Sequence, residues 1–310
     1  LFYGQGPSGF EIKNNELSWN QNIYFNSNSC WLFIPNDAQK KGKRVELANQ
    51  PESGVLIDYG IAYEHFESDL INLNAGGTEW VGSPISYGSS LPIPIYTPEA
   101  KQGTDINISA RFRGSSLNQS SSSFHQLSVL FGSNSGSQIG SDLSWSGNGP
   151  RTFSFSTTDI ILNNGINLFY IKNNSTNSNS YPYIDYFQIL YGRSLKFGEE
   201  IEFITPILDQ NARFSFSGQN SENIYLWDIT DPTETKNIQI NTEGYASVFM
   251  ENGFKKRFRL FNSDEIIEEL EIIYKEEQQF NSLRQNNLQA DYLIVGPEDF
   301  RESASELLSL

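Results

Sequence analysis

One cysteine, one methionine and two histidines are all that 310 residues supply of these types. A lone cysteine cannot close an internal disulfide, build a Cys-rich zinc site or form a redox pair. Two histidines leave almost no room for chemistry on a His-ligated metal. Basic side chains are scarce as well: 21 Lys and Arg stand against 37 Asp and Glu, a formal net charge of −16. Phosphate backbones need clustered cations and anionic membranes repel acidic proteins, so neither nucleic acid nor a membrane surface is expected as a partner. No run approaches the roughly 20 continuous apolar residues of a spanning helix, so no membrane span is expected. The sequence opens on Leu1, with no basic-then-apolar leader. It reads as an excised piece of a longer protein.

What is present points to β structure. Charged residues make up 19% and aromatics 14%, which excludes a charge-rich, aromatic-poor disordered tail. Asn, Ser, Gly, Phe and Tyr are abundant, and short alternating runs are separated by Asn/Gly/Ser clusters. Strands are expected at 106–112, 127–131, 152–155, 166–171, 183–191 and 224–227. In Phe153-Ser154-Phe155 and Phe214-Ser215-Phe216 the rings stand two apart, on one face of a strand. Asn163-Asn164-Gly165 is a turn signal, because Asn and Gly tolerate positive φ. The basic run Lys255-Lys256-Arg257, with Arg259, alternates with Phe254, Phe258 and Leu260 and is expected on the solvent face of a strand.

The expected fold class is mainly β, with tandem β-sandwich or jelly-roll-like domains and a truncated α/β strand–helix at the C-terminus. The divisions are an N-terminal β domain at 1–84, a jelly-roll-like sandwich at 85–197 and a small β module at 198–275. Strand-like pieces of the first lie at 23–25, 31–34 and 55–63. The loops at 114–123 and 173–180 are Ser- and Asn-rich and expected to be exposed. Residues 276–310 are expected to hold a helical linker, a buried strand at 292–295 and a helix over 300–310. A lone strand–helix cannot bury its own faces, so it is expected to open a further α/β domain.

Several segments carry a family resemblance. Ala290-Asp291-Tyr292-Leu293-Ile294-Val295-Gly296-Pro297-Glu298-Asp299-Phe300 resembles the opening strand and helix of gingipain-type cysteine peptidase domains. Leu226-Trp227-Asp228-Ile229-Thr230-Asp231-Pro232 resembles a segment that precedes such domains. Leu1-Phe2-Tyr3-Gly4-Gln5-Gly6-Pro7 and the stretch from Asn22-Ile23-Tyr24 to Cys30-Trp31-Leu32 are similar to their N-terminal region. The order of these motifs most resembles the members that act as sortases in the type IX secretion system of Bacteroidota. The resemblance implies a secreted or cell-surface protein. It implies a parent that hydrolyses peptide bonds with a Cys nucleophile and a His base in a caspase-like α/β domain. That machinery would lie downstream of Tyr292, so no catalytic residue is carried onto this chain. The implied partners are the downstream peptidase domain of the same chain, and cell-surface proteins or glycans.

The residues themselves carry little reactive chemistry. Cys30 lies beside the apolar Trp31-Leu32-Phe33-Ile34, where a buried structural thiol is expected. His65, flanked by Glu64 and Glu67, and His125, beside Phe124, sit on separate segments without metal-ligand or base spacing. The acids at 199–202 and 265–271 alternate with apolar residues as strand faces do, which disfavours a paired-carboxylate glycosidase site. No cofactor or metal site is expected, although Asp209, Asp228 and Asp231 are chemically suited to a structural calcium ion. The binding candidates are Trp145, in a Gly/Ser loop, with Tyr181 and Tyr183. Such rings either stack on a sugar or fill a sandwich core, Trp80 being of the same kind. Two functions follow: a non-catalytic β region that orients or regulates a gingipain-type peptidase or docks its partners, or a surface module binding glycan or protein without peptidase activity.

Overall fold

The computed structural model describes residues 6–22, 44–73, 77, 79–115, 124–219 and 223–266. Cys30, the pieces at 23–25 and 31–34, most of the loop 114–123 and all elements expected beyond 266 lie outside these residues.

Strands supply nearly all of the regular secondary structure among the described residues. In chain order they are β1 (Gly9–Lys13), β2 (Glu16–Asn20), β3 (Glu46–Leu47), β4 (Val55–Ile57), β5 (Tyr59–Glu67), β6 (Ile71–Asn72) and β7 (Trp80–Val81). The middle supplies β8 (Ser90–Thr97), β9 (Ile106–Arg113), β10 (His125–Phe131), β11 (Ser137–Trp145), β12 (Pro150–Thr157), β13 (Gly165–Asn173) and β14 (Tyr183–Ser194). Then come β15 (Ile201–Ile204), β16 (Ala212–Ser215), β17 (Ile224–Asp228), β18 (Lys236–Ile238), β19 (Tyr245–Val248) and β20 (Arg257–Asn262). A single 3-10 turn, Ser263–Glu265, follows. The fold is mainly β, as the alternation implies.

One long sheet organises the chain, with strand order β12-β9-β14-β5-β15-β20-β17-β18-β3. Alternation gives it an inner face: in β9, Ile106, Ile108, Ala110 and Phe112 are buried, while Asn107, Ser109, Arg111 and Arg113 point the other way. Two smaller sheets cover that inner face. The four-stranded sheet β11-β10-β13-β8 encloses a core containing Phe112, Phe169, Phe187 and Trp145. The three-stranded sheet β19-β16-β4 encloses a second core around Phe203, Phe214 and Phe258. The two cores meet at Gly60. A Cβ there would come within 2.4 Å of the Phe203 ring, so only glycine lets β5 pass beneath it.

Pairing crosses the boundaries expected at 84 and 197. β5, from the first region, lies between β14 and β15, and β4 runs parallel to β16. Their apolar faces cannot be buried within 1–84 alone, so they complete sheets made mostly by later residues. The basic run is also placed differently from its expectation. Phe258 and Leu260 do point into the core, but Arg257 is only 7% exposed. It is held by Glu202 and the Tyr63 hydroxyl, because acids on the neighbouring strand offer it charge-assisted bonds.

The β1–β2 hairpin forms a separate two-stranded sheet. Its turn residues Asn14 and Asn15 both have positive φ, 50° and 65°, as a tight two-residue hairpin demands. The Asn15 side chain bonds the Gly253 carbonyl and the Lys255 amide at 2.6 and 2.7 Å. Phe10 packs on Tyr63, with centroids 4.3 Å apart and ring planes tilted by 48°.

Candidate functional site

The outer face of the long sheet concentrates the polar and aromatic groups. β5 presents Tyr63, His65 and Glu67 there, and β9 presents Arg111 and Arg113. A bulge in β14 between Ile184 and Tyr186 adds a residue to that strand, bringing Asp185 and Tyr186 together beside Arg111.

At one end Tyr183 stands directly opposite Arg113. Its ring meets Tyr181 edge-on, centroids 6.3 Å apart and planes at 84°. Tyr181 is 44% exposed. Burial, and then Tyr181, push the Tyr183 hydroxyl pKa up. Arg113 reaches Glu79 at 3.2 Å, and one step along the face Arg111 reaches Asp185 at 3.2 Å. Burial raises Asp185 to about 6 against the pull of Arg111, helped by Glu67, Asp69 and Glu79. Asp69 is raised too, by burial and by Glu67.

Further along, His65 Nε2 lies 2.8 Å from a Glu67 oxygen. Trp19 of the hairpin covers the imidazole, and the buried Trp19 Nε1 and His65 Nδ1 both lack a hydrogen-bond partner. The face ends in the cluster of Tyr63, Glu202 and Arg257. There the Tyr63 hydroxyl donates to Glu202, and burial followed by Glu202 holds its pKa far above the ordinary value.

Trp145 is placed elsewhere. It is 3% exposed, inside the first core, opposite His125 at 4.9 Å between centroids. Gly114 packs against its indole nitrogen. No ring face is open for stacking on a sugar, so of the two alternatives for Trp145 the structure shows core packing. Trp80 is 39% exposed and donates Nε1 to the Gly77 carbonyl at 3.2 Å. The three binding candidates are therefore not brought together: Tyr181 and Tyr183 share one edge, and Trp145 is interior.

His125 is fully buried, with Nδ1 2.9 Å from Ser180 Oγ and Nε2 accepting from the Ser115 amide. Burial lowers its pKa, which keeps the ring neutral. A serine beside a histidine can be a nucleophile and its base. Here Ser180 is fully buried and its oxygen also receives Asn173 Nδ2. Among the described residues no carboxylate bonds the imidazole, and the pair clamps the 173–180 segment to the sandwich.

Asp228 accepts from Thr230 and pairs with Lys256 at 3.1 Å, and Asp231 caps Thr233. Among the described residues no group of three or more His, Cys, Asp or Glu is placed to hold a metal ion, and no helix is long and apolar enough to cross a membrane. The arrangement can bind: it offers ion pairs, carboxyls and exposed rings, and among the described residues it pairs no accessible nucleophile with a base. Sequence reasoning missed Arg111, Arg113, Asp185 and Glu79. The two arginines, spaced two apart in an alternating strand, were the legible signal; the bulge that adds Asp185 left none.

No protein-family model and no curated protein matches the sequence. Among solved structures, dimeric latent PorU from Porphyromonas gingivalis superposes with a TM-score of 0.67 and 12% sequence identity. The alignment covers 85% of this chain and 26% of that one, so this chain spans about a quarter of the protein it matches. At that identity the likeness shows a shared fold. A structure of the infectious bursal disease virus Gx strain aligns with 96% of this chain and 61% of its own, at 11% identity, but its TM-score of 0.22 carries no argument.

Proposed function

We propose that this chain is the non-catalytic β region of a type IX sortase-like, gingipain-type cysteine peptidase, secreted or displayed at the cell surface. The observation that carries the reading is the fold shared with PorU over 85% of this chain. The ordered motifs that resemble gingipain-type peptidases support it independently. The chemistry of the described residues agrees with a supporting role: His125 is interior and His65 lies under Trp19. The two sandwiches share one sheet and would act as a rigid block that orients or regulates the peptidase domain, or docks its partners. Peptide-bond hydrolysis would belong to the parent protein.

The test is incubation of the purified chain with casein and a panel of fluorogenic peptides. No hydrolysis above buffer is expected. Cleavage that disappears on Cys30→Ala would sink the reading. A gingipain-type peptidase domain added in trans is expected to bind the chain or change its turnover, as read by calorimetry and initial rates.

The second reading is a glycan-binding module. The exposed Tyr181 beside Tyr183, at the Arg113–Glu79 ion pair, favours it, since rings stack on sugar faces and ion pairs bind hydroxyls. A glycan array tests it: signal reduced by Tyr181→Ala would support it, and a blank array would remove it.

A further inference from the structure

Open strand edges invite further strands, and folded proteins usually guard them. The four-stranded sheet guards both of its edges. β8 carries Pro92 and Pro94, which have no amide hydrogen to give a ladder. β11 is interrupted by a bulge, its register with β10 shifting between Leu127 and Val129. The long sheet ends on one side in β3, a strand of only two residues. Its other end is β12, which pairs with β9 over eight consecutive residues without a register shift and has no proline beyond its first residue. β12 is thus a long, regular and unguarded edge.

The register shows which of its groups face outward. Gly114 donates its amide to the Gly149 carbonyl at 3.2 Å, so the hydrogen-bonded pairs with β9 fall on Arg151, Phe153, Phe155 and Thr157. The amides and carbonyls of Thr152, Ser154 and Ser156 therefore point away from β9. Among the described residues none of these six groups has a hydrogen-bond partner, and all three residues are exposed. Phe155, whose ring lies beside Gly140, is 38% exposed. Arg151, on the same face of the strand, is exposed as well. Its guanidinium bonds the Pro150 carbonyl at 2.9 Å and, among the described residues, meets no acid.

We propose that β12 is a docking edge, which takes an extended acidic peptide segment of another protein as a further strand of the long sheet. Main-chain bonds to Thr152, Ser154 and Ser156 supply the affinity. Selectivity comes from the side chains directly opposite Arg151 and Phe155, an acid for the first and an apolar group for the second. Arg151 and Phe155 share a face, so the segment carries its acid and its apolar residue at the same four-residue spacing. Charge argues for an acidic occupant. Across β9 and β12 the only charged residues are Arg111, Arg113 and Arg151, on a chain of −16. Arg111 and Arg113 already face Asp185 and Glu79, which leaves Arg151 for the incoming strand. A second copy of the chain fits worse, because its own β12 brings no acid to Arg151. The edge rests on these strands alone and not on any kinship with peptidases.

End-blocked fluorescent peptides test this on the full 310-residue chain. They carry threonine at every second position and valine on the others, with glutamate and phenylalanine replacing two valines at the spacing of Arg151 and Phe155. Both orders of the two are used, for parallel and antiparallel addition. Fluorescence polarisation is expected to show binding of at least one order, and hydrogen exchange at the Thr152, Ser154 and Ser156 amides should slow in the complex. N-methylation of alternate residues gives two complementary forms of that peptide. One should bind at least about tenfold more weakly and the other nearly as before, since only one row of amides faces β12. Ser154→Pro removes an outward amide and no bond to β9, and should weaken binding as much. Arg151→Glu should turn the preference from the glutamate peptide to its lysine counterpart. Ile166→Ser, exposed on another sheet, should change nothing. The methylated pair leaves the protein untouched, so it decides even where a variant fails to fold. No binding by any of the peptides, equal binding by the two methylated forms, or binding by a folded Ser154→Pro chain at full strength would overturn the proposal. An edge occupied by a second copy, read as a dimer that Ser154→Pro dissolves, would overturn it too.

Discussion

The indole of Trp19 lies flat on the imidazole of His65, with centroids 4.1 Å apart and ring planes 13° apart. This contact docks the β1–β2 hairpin onto the long sheet, together with Phe10 on Tyr63 and the Asn15 side chain on the 253–255 turn. The docking leaves two buried nitrogens without partners, Trp19 Nε1 and His65 Nδ1. Each such atom costs about 1–3 kcal/mol, so aromatic packing has to outweigh them.

Replacing Trp19 separates these contributions. Trp19→Ala is expected to lower the unfolding free energy by about 1–3 kcal/mol, less than a fully buried tryptophan would, because Trp19 is half-buried. Trp19→Phe keeps a ring over His65 and removes one orphaned donor, so it should cost less than about 1 kcal/mol. Urea unfolding followed by far-UV circular dichroism measures both. Equal losses would mean that stacking on His65 is not what holds the hairpin.

Glu64 gives the fold a pH dependence. Burial raises its carboxyl to about 7 from the ordinary 4.5, with Arg193 pulling the other way. Between those two values the folded chain keeps a proton that the unfolded chain has released. Its contribution is therefore full below the unfolded value and lost as pH rises through about 7. Solvent screening reduces the effect to roughly 1 kcal/mol. Glu64→Gln should gain about that much on wild type between pH 5 and pH 8 in urea unfolding. Parallel curves for the two proteins would contradict the assignment.

Gly60→Ala tests the seam between the two cores. Its Cβ would press on the Phe203 ring at 2.4 Å, and overpacking of this kind costs about 1–3 kcal/mol. Phe203→Leu alone should also destabilise, by opening space. The double variant should be more stable than the sum of the two losses implies, as the smaller side chain admits the new methyl. Strict additivity in chemical denaturation would place the strain elsewhere.

Arg257 and Glu202 should behave as a coupled pair. Arg257→Met leaves the Tyr63 hydroxyl without its cation and Glu202 half-buried with only Arg259, 3.6 Å away, and a loss of about 3 kcal/mol is expected. Adding Glu202→Gln should restore part of it. A double-mutant cycle measures the coupling, with about 1 kcal/mol or more expected. A coupling near zero would reduce the contact to a surface ion pair.

Local strand assignments were legible because alternation is a local signal. The run at 106–112 became β9, 166–171 became the middle of β13, and Phe214 and Phe216 both point inward. Arg257 was misread because the same alternation puts it on the outer face without showing that Glu202 and Tyr63 would enclose it there. Trp145 posed a similar difficulty. Its Gly/Ser surroundings read as a loop, yet Trp145 ends β11, and its register with His125 turns the ring inward.

By itself the sequence determined the β class, most strand positions, the acidity and the scarcity of reactive side chains, all properties of single residues or of neighbours two apart. Tertiary structure alone decided that β5 would lie between β14 and β15, uniting the two sandwiches through one sheet. It also decided that the lone pair of histidines would be enclosed, and that the β12 edge would be left open. Periodicity states which residues share a face. Which sheet covers that face is set by pairings between residues far apart in the chain, and these leave no local trace.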